Sequence, residues 1–395
     1  MVERVENRVK LGLCLYRHML TPENFRFARQ AGATHIVAHL TDYFSQEPRI
    51  PQAESEGDGW GTTSGASTPW PYDELAALKQ AVNAEGLELE ALENFDPAFW
   101  HDVLLDGPKR NEQIEGIKRF ITNMGKVGIP TMGYNFSIAG VWGHVVGLWA
   151  RGGAESVGFH GPEGPAETPI PNGQVWNMTY ARGDGSKTIP DTSPEQLWDR
   201  LERFLKEVVP VAEESGVRLA AHPDDPPMPS LRGHARLVHK PELYQRLLDI
   251  YPAKSNALEF CQGTIAEMVG EMDVYEAIDT YSKQVAIAYV HFRNVKGKVP
   301  KYHEVFVDEG EVDMIEALRI YHRYGYDGVI IPDHTPQMEC AAPWHAGMAY
   351  ALGYMRAAIT VIDRTWAQSP VPAPPGRRRG ALCHLFQVIP VNHNI

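Results

Sequence analysis

Short apolar runs alternate with longer stretches of helical period along most of the chain. Residues 9–15 form the first run, and Thr21-Pro22, an N-cap followed by a first-turn proline, opens a helix over 24–30 that closes at Gly32. Residues 35–40, 87–94 and 130–136 read as the second, third and fourth strands. Leu75, Leu78 and Val82 predict a helix over 72–84, and Ile114, Ile117, Phe120 and Ile121 predict another over 110–127, each followed by a glycine. Ser193-Pro194 starts a helix running to Ser215, with Leu197, Leu201, Phe204, Leu205 and Val208 on one face. Four further strands, 217–222, 257–261, 287–291 and 328–334, are separated by helices over 241–250, 272–282 and 313–324, and a last helix is expected over 347–362.

Eight strands alternating with helices predict an α/β chain folded as a (β/α)8 TIM barrel, a catalytic domain over 1–364 whose chemistry sits at the C-terminal ends of the strands. A doubly wound open sheet is the alternative, weakened by the lack of any Gly-rich phosphate loop. Two stretches break the period. Residues 47–71 are a Gly/Ser/Pro-rich loop, and residues 140–192, rich in Gly, Pro and Trp, are too long for an ordinary connection. The second reads as an insertion after strand 4 that lids a site or meets a partner, with plain disorder as the bland alternative. From 365 to 395, Ser369-Pro370-Val371-Pro372-Ala373-Pro374-Pro375 and Arg377-Arg378-Arg379 suggest a linker and a disordered C-terminal tail.

Composition narrows the partners. With 395 residues and 43% hydrophobic content the chain can bury a large core. A net charge of −13 argues against nucleic acid and favours a small-molecule substrate. No apolar run is long enough for a membrane helix, and Met1-Val2-Glu3-Arg4-Val5-Glu6 lacks the apolar core of a secretory signal, so no membrane partner and a cytoplasmic location are expected. Cys14, Cys261, Cys340 and Cys383 have no CxxC spacing and read as reduced thiols. The composition leaves a homo-oligomer open.

The chemistry gathers where strands end. Ala221-His222-Pro223-Asp224-Asp225-Pro226-Pro227 places an imidazole and two carboxylates where a strand yields to a proline-rich turn that cannot continue as helix. Three later runs end alike, at Cys261, His291 and Asp333-His334. A single buried His or Cys is more often structural than functional. Four donors at four successive strand ends of a barrel face one mouth, and His222, Cys261, His291 and Asp333 are therefore expected to hold a metal; imidazole, thiolate and carboxylate together suit Zn, Fe(II), Mn or Co.

His222-Pro223-Asp224-Asp225-Pro226-Pro227, Phe260-Cys261-Gln262-Gly263, His291-Phe292-Arg293-Asn294-Val295 and Pro332-Asp333-His334, in that order and at those separations, resemble the mannonate dehydratase family, of the xylose-isomerase-like barrels. Tyr134-Asn135-Phe136 and Gly310-Glu311-Val312-Asp313-Met314 resemble further family segments. The resemblance implies dehydration of D-mannonate to 2-keto-3-deoxy-D-gluconate with Mn(II) or Fe(II). It makes His222, Cys261, His291 and Asp333 the ligands, His334 an acid/base residue, and Arg293 a catalytic clamp near the substrate carboxylate. Asn294, Tyr134, Asn135 and Asp224 become substrate contacts, the bland reading being that Asp224 and Asp225 only cap the turn and that Arg293 only pairs with carboxylates. The chain departs from the family at Thr335, where many members have Gly, and in lacking the Gly-Tyr-Gly-Leu-Tyr segment that supplies a catalytic tyrosine; aligning Ala351-Leu352-Gly353 puts His345 in the place of the first tyrosine. A sugar isomerase or epimerase on the same barrel, or a non-catalytic sugar-acid binding protein, are the other classes open to such a sequence.

Overall fold

A computed structural model describes residues 9–43, 61–63, 69–181 and 187–368. Eight parallel strands close into a barrel: β1 (Lys10–Leu15), β2 (His35–His39), β3 (Glu88–Glu93), β4 (Thr131–Tyr134), β5 (Arg218–Ala221), β6 (Asn256–Cys261), β7 (Ile287–His291) and β8 (Val329–Ile331). Each pairs with its chain neighbours, and β8 returns to β1 through Lys10 opposite Val329. The outer ring is α1 (Pro22–Ala31), α2 (Tyr72–Ala84), α3 (Arg110–Val127), α4 (Pro194–Ser215), α5 (Leu243–Ile250), α6 (Val274–Lys283), α7 (Met314–Arg323) and α8 (Pro343–Gln368). This is the (β/α)8 barrel expected from the sequence.

Local chemistry fixes the helix ends. The Thr21 hydroxyl accepts from the Asn24 amide ahead of α1, Ser193 and Gln196 form a capping box ahead of α4, and Asp273 and Glu276 form one ahead of α6. Gly32 closes α1 in the left-handed region at φ 106°, a conformation that costs glycine little. Apolar faces of the helices pack on the outward side chains of the strands, among them Leu13, Ile36, Met132, Leu219 and Phe260. Inside the barrel a second apolar layer is built from small and branched residues, Val37, Ala91, Ala220, Ala257, Ala288, Val329 and Ile331, around the single large ring of Tyr289. Small residues are required there because Tyr289 and Glu259 occupy the middle of the barrel.

The excursion after β4 is more regular than its composition suggests. Residues His144–Ala150 and Ala154–Phe159 form an antiparallel hairpin, and a second hairpin after β7, Asn294–Lys298 with Lys301–Val305, joins it in one four-stranded sheet. The join is the pairing of Tyr302 with Phe159 and of His303 with Gly158. The sequence pattern predicts no strand here because Val146 and Leu148 stay exposed and the sheet has no single buried face, so the apolar and polar positions do not alternate. The last helix also differs: α8 starts at Pro343 and runs through residues 365–368, where the sequence places the start of the tail. Residues 369–395, and most of the loop expected over 47–71, lie outside the described residues.

Gly133 on β4 faces the barrel interior, where an added Cβ would overlap the Tyr289 hydroxyl and the Glu259 carboxylate. Gly133→Ala is expected to destabilise the fold by about 1–3 kcal/mol, the usual scale for overpacking. Urea unfolding checks it, and an unchanged midpoint would show that the barrel interior has room to spare.

Candidate metal centre and active site

Strand register sets the site. Cys261 and His291 are direct partners at the ends of β6 and β7, and the next residue after β5, His222, donates its amide to the Tyr134 carbonyl on β4. His222, Cys261 and His291 each bring a ligand atom within 4.8 Å of the others. The His222 Nδ1–H donates to the Pro223 carbonyl at 2.5 Å, which leaves Nε2 for the centre. His291 Nε2 faces Glu259 at 3.1 Å and Glu93 at 3.3 Å, so its donor atom for the site is Nδ1, which is buried and makes no hydrogen bond among the described residues. Asp333 Oδ2 lies 3.4 Å from that Nδ1. Two ligands about 2.1 Å from a tetrahedral ion stand about 3.4 Å apart, so this separation suits a shared ion better than a hydrogen bond. The donor set and the orphaned nitrogen fit a divalent metal held by His222, Cys261, His291 and Asp333. Asp333 reaches in because its backbone adopts the left-handed region, φ 61°, which aspartate tolerates better than most residues.

Charge accounts for the state of these groups. Burial alone would push the Cys261 thiol up, yet Arg293 and the neighbouring rings of His222 and His291 bring its pKa down to about 5. Burial works against a charged His222, but Glu259 and Cys261 outweigh it and hold the ring near a pKa of about 9. Without metal the pair is therefore thiolate and imidazolium. Glu259, wholly buried and beside Glu93, is pushed up to about 7, while Glu93 is drawn down to about 2 by His39 and His291 against its burial.

Arg293 is 2% exposed and lies behind the donors. Its guanidinium pairs with Asp225 and Glu267 at 2.5 Å each, Asp333 at 3.1 Å and Glu304 at 3.5 Å. His334 lines the cavity at the mouth, with Nδ1 at 3.0 and 3.1 Å from the two Glu304 oxygens. Burial would lower it, but Asp333 and Glu304 raise its pKa to about 10, so it stands as an imidazolium.

Other expected residues fall elsewhere. Asn135 lines the cavity, but Tyr134, its neighbour, points out of the barrel between Trp100 and Phe204. Side chains alternate along a strand, and with Gly133 facing in, Tyr134 faces the helix layer. Asn294 holds the turn after β7, donating to the Val307 and Val312 carbonyls and accepting from the Val295 and Val312 amides. Asp224 accepts the Leu237 and Val238 amides and pairs with Arg236, away from the cavity. Its neighbour Asp225 takes the position facing the cavity. His345 sits on α8 against Asn24, Phe27 and Trp344, outside the cavity lining. The cavity is completed by residues the sequence reading passes over: His39, Glu93 and Asn94 at the ends of β2 and β3, Tyr16 and Tyr43 beside them, and His144 and Trp176 from the excursion. The strand-end rule applied to β5–β8 would have found His39 and Glu93 on β2 and β3 as well.

The profile of the D-mannonate dehydratase (UxuA) family matches residues 27–159 and 184–365. Mannonate dehydratase of Streptococcus uberis is 30% identical over 276 residues, 67% of this chain and 78% of its own length. That of Thermotoga maritima is 30% identical over 286 residues, again 67% of this chain and 78% of its own. Among solved structures, mannonate dehydratase from Streptococcus suis superposes with a TM-score of 0.73 at 24% identity, over 94% of this chain and 98% of the other. An L-ribulose 3-epimerase shares the fold with a TM-score of 0.54 at 13% identity, over 93% of this chain and 100% of its own.

Cys261→Ala is expected to abolish metal uptake at this centre with the fold retained, measured by elemental analysis after reloading; full occupancy would remove the thiolate from the ligand set. Metal must also displace the proton from His222. Because that pKa is raised, to about 9, the competing proton is present at neutral pH and is lost only as pH rises through that value. Affinity for Zn(II) or Mn(II) is therefore expected to climb steadily from pH 6 to 9 with proton release on binding, and a flat profile in calorimetry would contradict the imidazolium assignment.

Proposed function

Since the chain belongs to the D-mannonate dehydratase family, a family of hydro-lyases, we propose that it removes water from D-mannonate to give 2-keto-3-deoxy-D-gluconate, in the cytoplasm, with Mn(II) or Fe(II) held by His222, Cys261, His291 and Asp333. The observation that carries this reading is the convergence of imidazole, thiolate and carboxylate donors from β5 to β8 on one mouth inside a family match that spans them. When bound, the ion supplies Lewis-acid polarisation of the substrate carboxylate, which makes the proton on the adjacent carbon easier to remove.

The protein's own groups do the rest. Arg293 is shielded from the cavity by the carboxylates it pairs with, so it acts as a positioning residue, setting Asp333 and Asp225 and keeping Cys261 ionised. His334, held as an imidazolium by Glu304, is the acid that protonates the departing β-hydroxyl, which leaves as water; an imidazolium cannot serve as the base, so the proton beside the carboxylate passes to a different, unprotonated group at the cavity. Asn135 and Asp225 face the same cavity and present an amide and a carboxylate to the sugar hydroxyls. His144, whose Nε2 lies 3.2 Å from Asp225 and 3.0 Å from the Tyr302 hydroxyl, brings the excursion into the wall of the site.

Reloaded protein is expected to convert D-mannonate to the 2-keto-3-deoxy acid, read by product NMR. Turnover of neutral ketoses with none of any aldonate would move the chain to the epimerase class. His334→Asn should leave metal bound and lower turnover roughly 10²–10⁴-fold. If His334 is the acid, the variant still exchanges the proton beside the carboxylate with D2O; loss of exchange would make it the base instead. Since the His334 pKa is raised, to about 10, its acid form is present below that value, and its contribution to kcat should be lost on the alkaline side.

A further inference from the structure

Strands β1, β2 and β3 form the wall of the barrel opposite β5 to β8, and they carry a second set of donors that the first centre does not use. Cys14 pairs with Val37, and His39 pairs with Glu93. Val37 belongs to the interior apolar layer, so Cys14, His39 and Glu93, which share its parity or register, all face inward. Their ligand atoms lie within 4.8 Å of one another, with His39 and Glu93 only 6% and 5% exposed.

We propose that Cys14 Sγ, His39 Nε2 and Glu93 Oε1 hold a second divalent transition-metal ion at the barrel mouth. His39 Nε2 and Glu93 Oε1 stand 3.5 Å apart, beyond good hydrogen-bond length and close to the roughly 3.4 Å chord between two ligands of one tetrahedral ion. The other ring nitrogen, Nδ1, is engaged by the Tyr43 hydroxyl at 3.0 Å, the arrangement that fixes a ligand imidazole. Tyr16 stacks on the same ring with centroids 4.9 Å apart. Sulfur, imidazole and carboxylate together favour Zn(II) or Co(II) over Mg(II) or Ca(II).

Metal counting tests the proposal and does not depend on turnover. Chelator-stripped protein reloaded with Zn(II) should take up two ions per chain, and reloading with Co(II) should give thiolate-to-metal charge-transfer absorption from two sulfurs. Cys14→Ser and His39→Gln should each reduce the count from two to one, and Cys261→Ala should also leave one, now with the absorption of Cys14 alone. Thermal unfolding of each variant confirms that a folded protein is being counted. Saturation of the unaltered chain at one ion overturns the second site, as does a count of two in folded Cys14→Ser. Absence of D-mannonate dehydration would leave the count untouched, so the two readings fail separately.

Discussion

The guanidinium of Arg293 is the cation around which the mouth of this barrel is assembled. It is wholly enclosed by acidic groups: Asp225 from the loop after β5, Glu267 from the short helix after β6, Glu304 from the second hairpin and Asp333 from the end of β8. Buried carboxylates without a cation are costly, and removing one partner of such a cluster typically costs about 3–5 kcal/mol. One residue thus ties together four connections that are distant in the chain. The same charge lowers the Cys261 pKa, so the group that orders the loops also prepares the softest donor. It lies behind the donors, yet it orients two of the carboxylates that line the cavity, Asp225 and Asp333.

Sequence reasoning reaches the barrel because strands and helices announce themselves locally, through apolar runs, caps and closing glycines. It reaches the donors because a strand end is a local feature too. Its misses are set by facing, which a single-residue error reverses. In Asp224-Asp225 one carboxylate caps a turn and the other faces the cavity, and composition cannot say which. Tyr134 and Asn135 divide in the same way, one to the helix layer and one to the mouth. The alternation is available once Gly133 is recognised as an interior position, but only packing against Tyr289 shows that it is one. The excursion after β4 is illegible for another reason. Its inner strand, Ala154–Phe159, finds a second partner in residues 301–305, more than a hundred positions later, and pairs through backbone groups that leave no apolar period.

The excursion nonetheless owes its regularity to that distant partner. Arg151 at the hairpin tip pairs with Asp308 at 2.9 Å and lies over the Phe306 ring, and the Arg151 amide donates to Glu309. The hairpin is therefore clamped at its tip and joined along its inner strand. His144 at its base is placed between Asp225 and Tyr302 by the same sheet. Segments that close over a site usually trade order for mobility. Here His144, the cavity residue that the hairpin carries, stands on paired backbone, which holds it in place without a ligand.

Packing also decides the role open to His345. The family resemblance puts a tyrosine at this position, yet the first turn of α8 packs His345 between Phe27 and Trp344 and bonds it to Asn24, on the outer side of α1. A phenol there would meet the same aromatic neighbours and not the cavity. The acid that a dehydration needs must then come from a group already facing the site, and His334 is such a group: it is presented by β8, fixed by Glu304 and positively charged. Charge placement by Glu304 and Asp333 thus puts an imidazolium on the barrel itself, the acid proposed for the dehydration, without calling on a residue from α8.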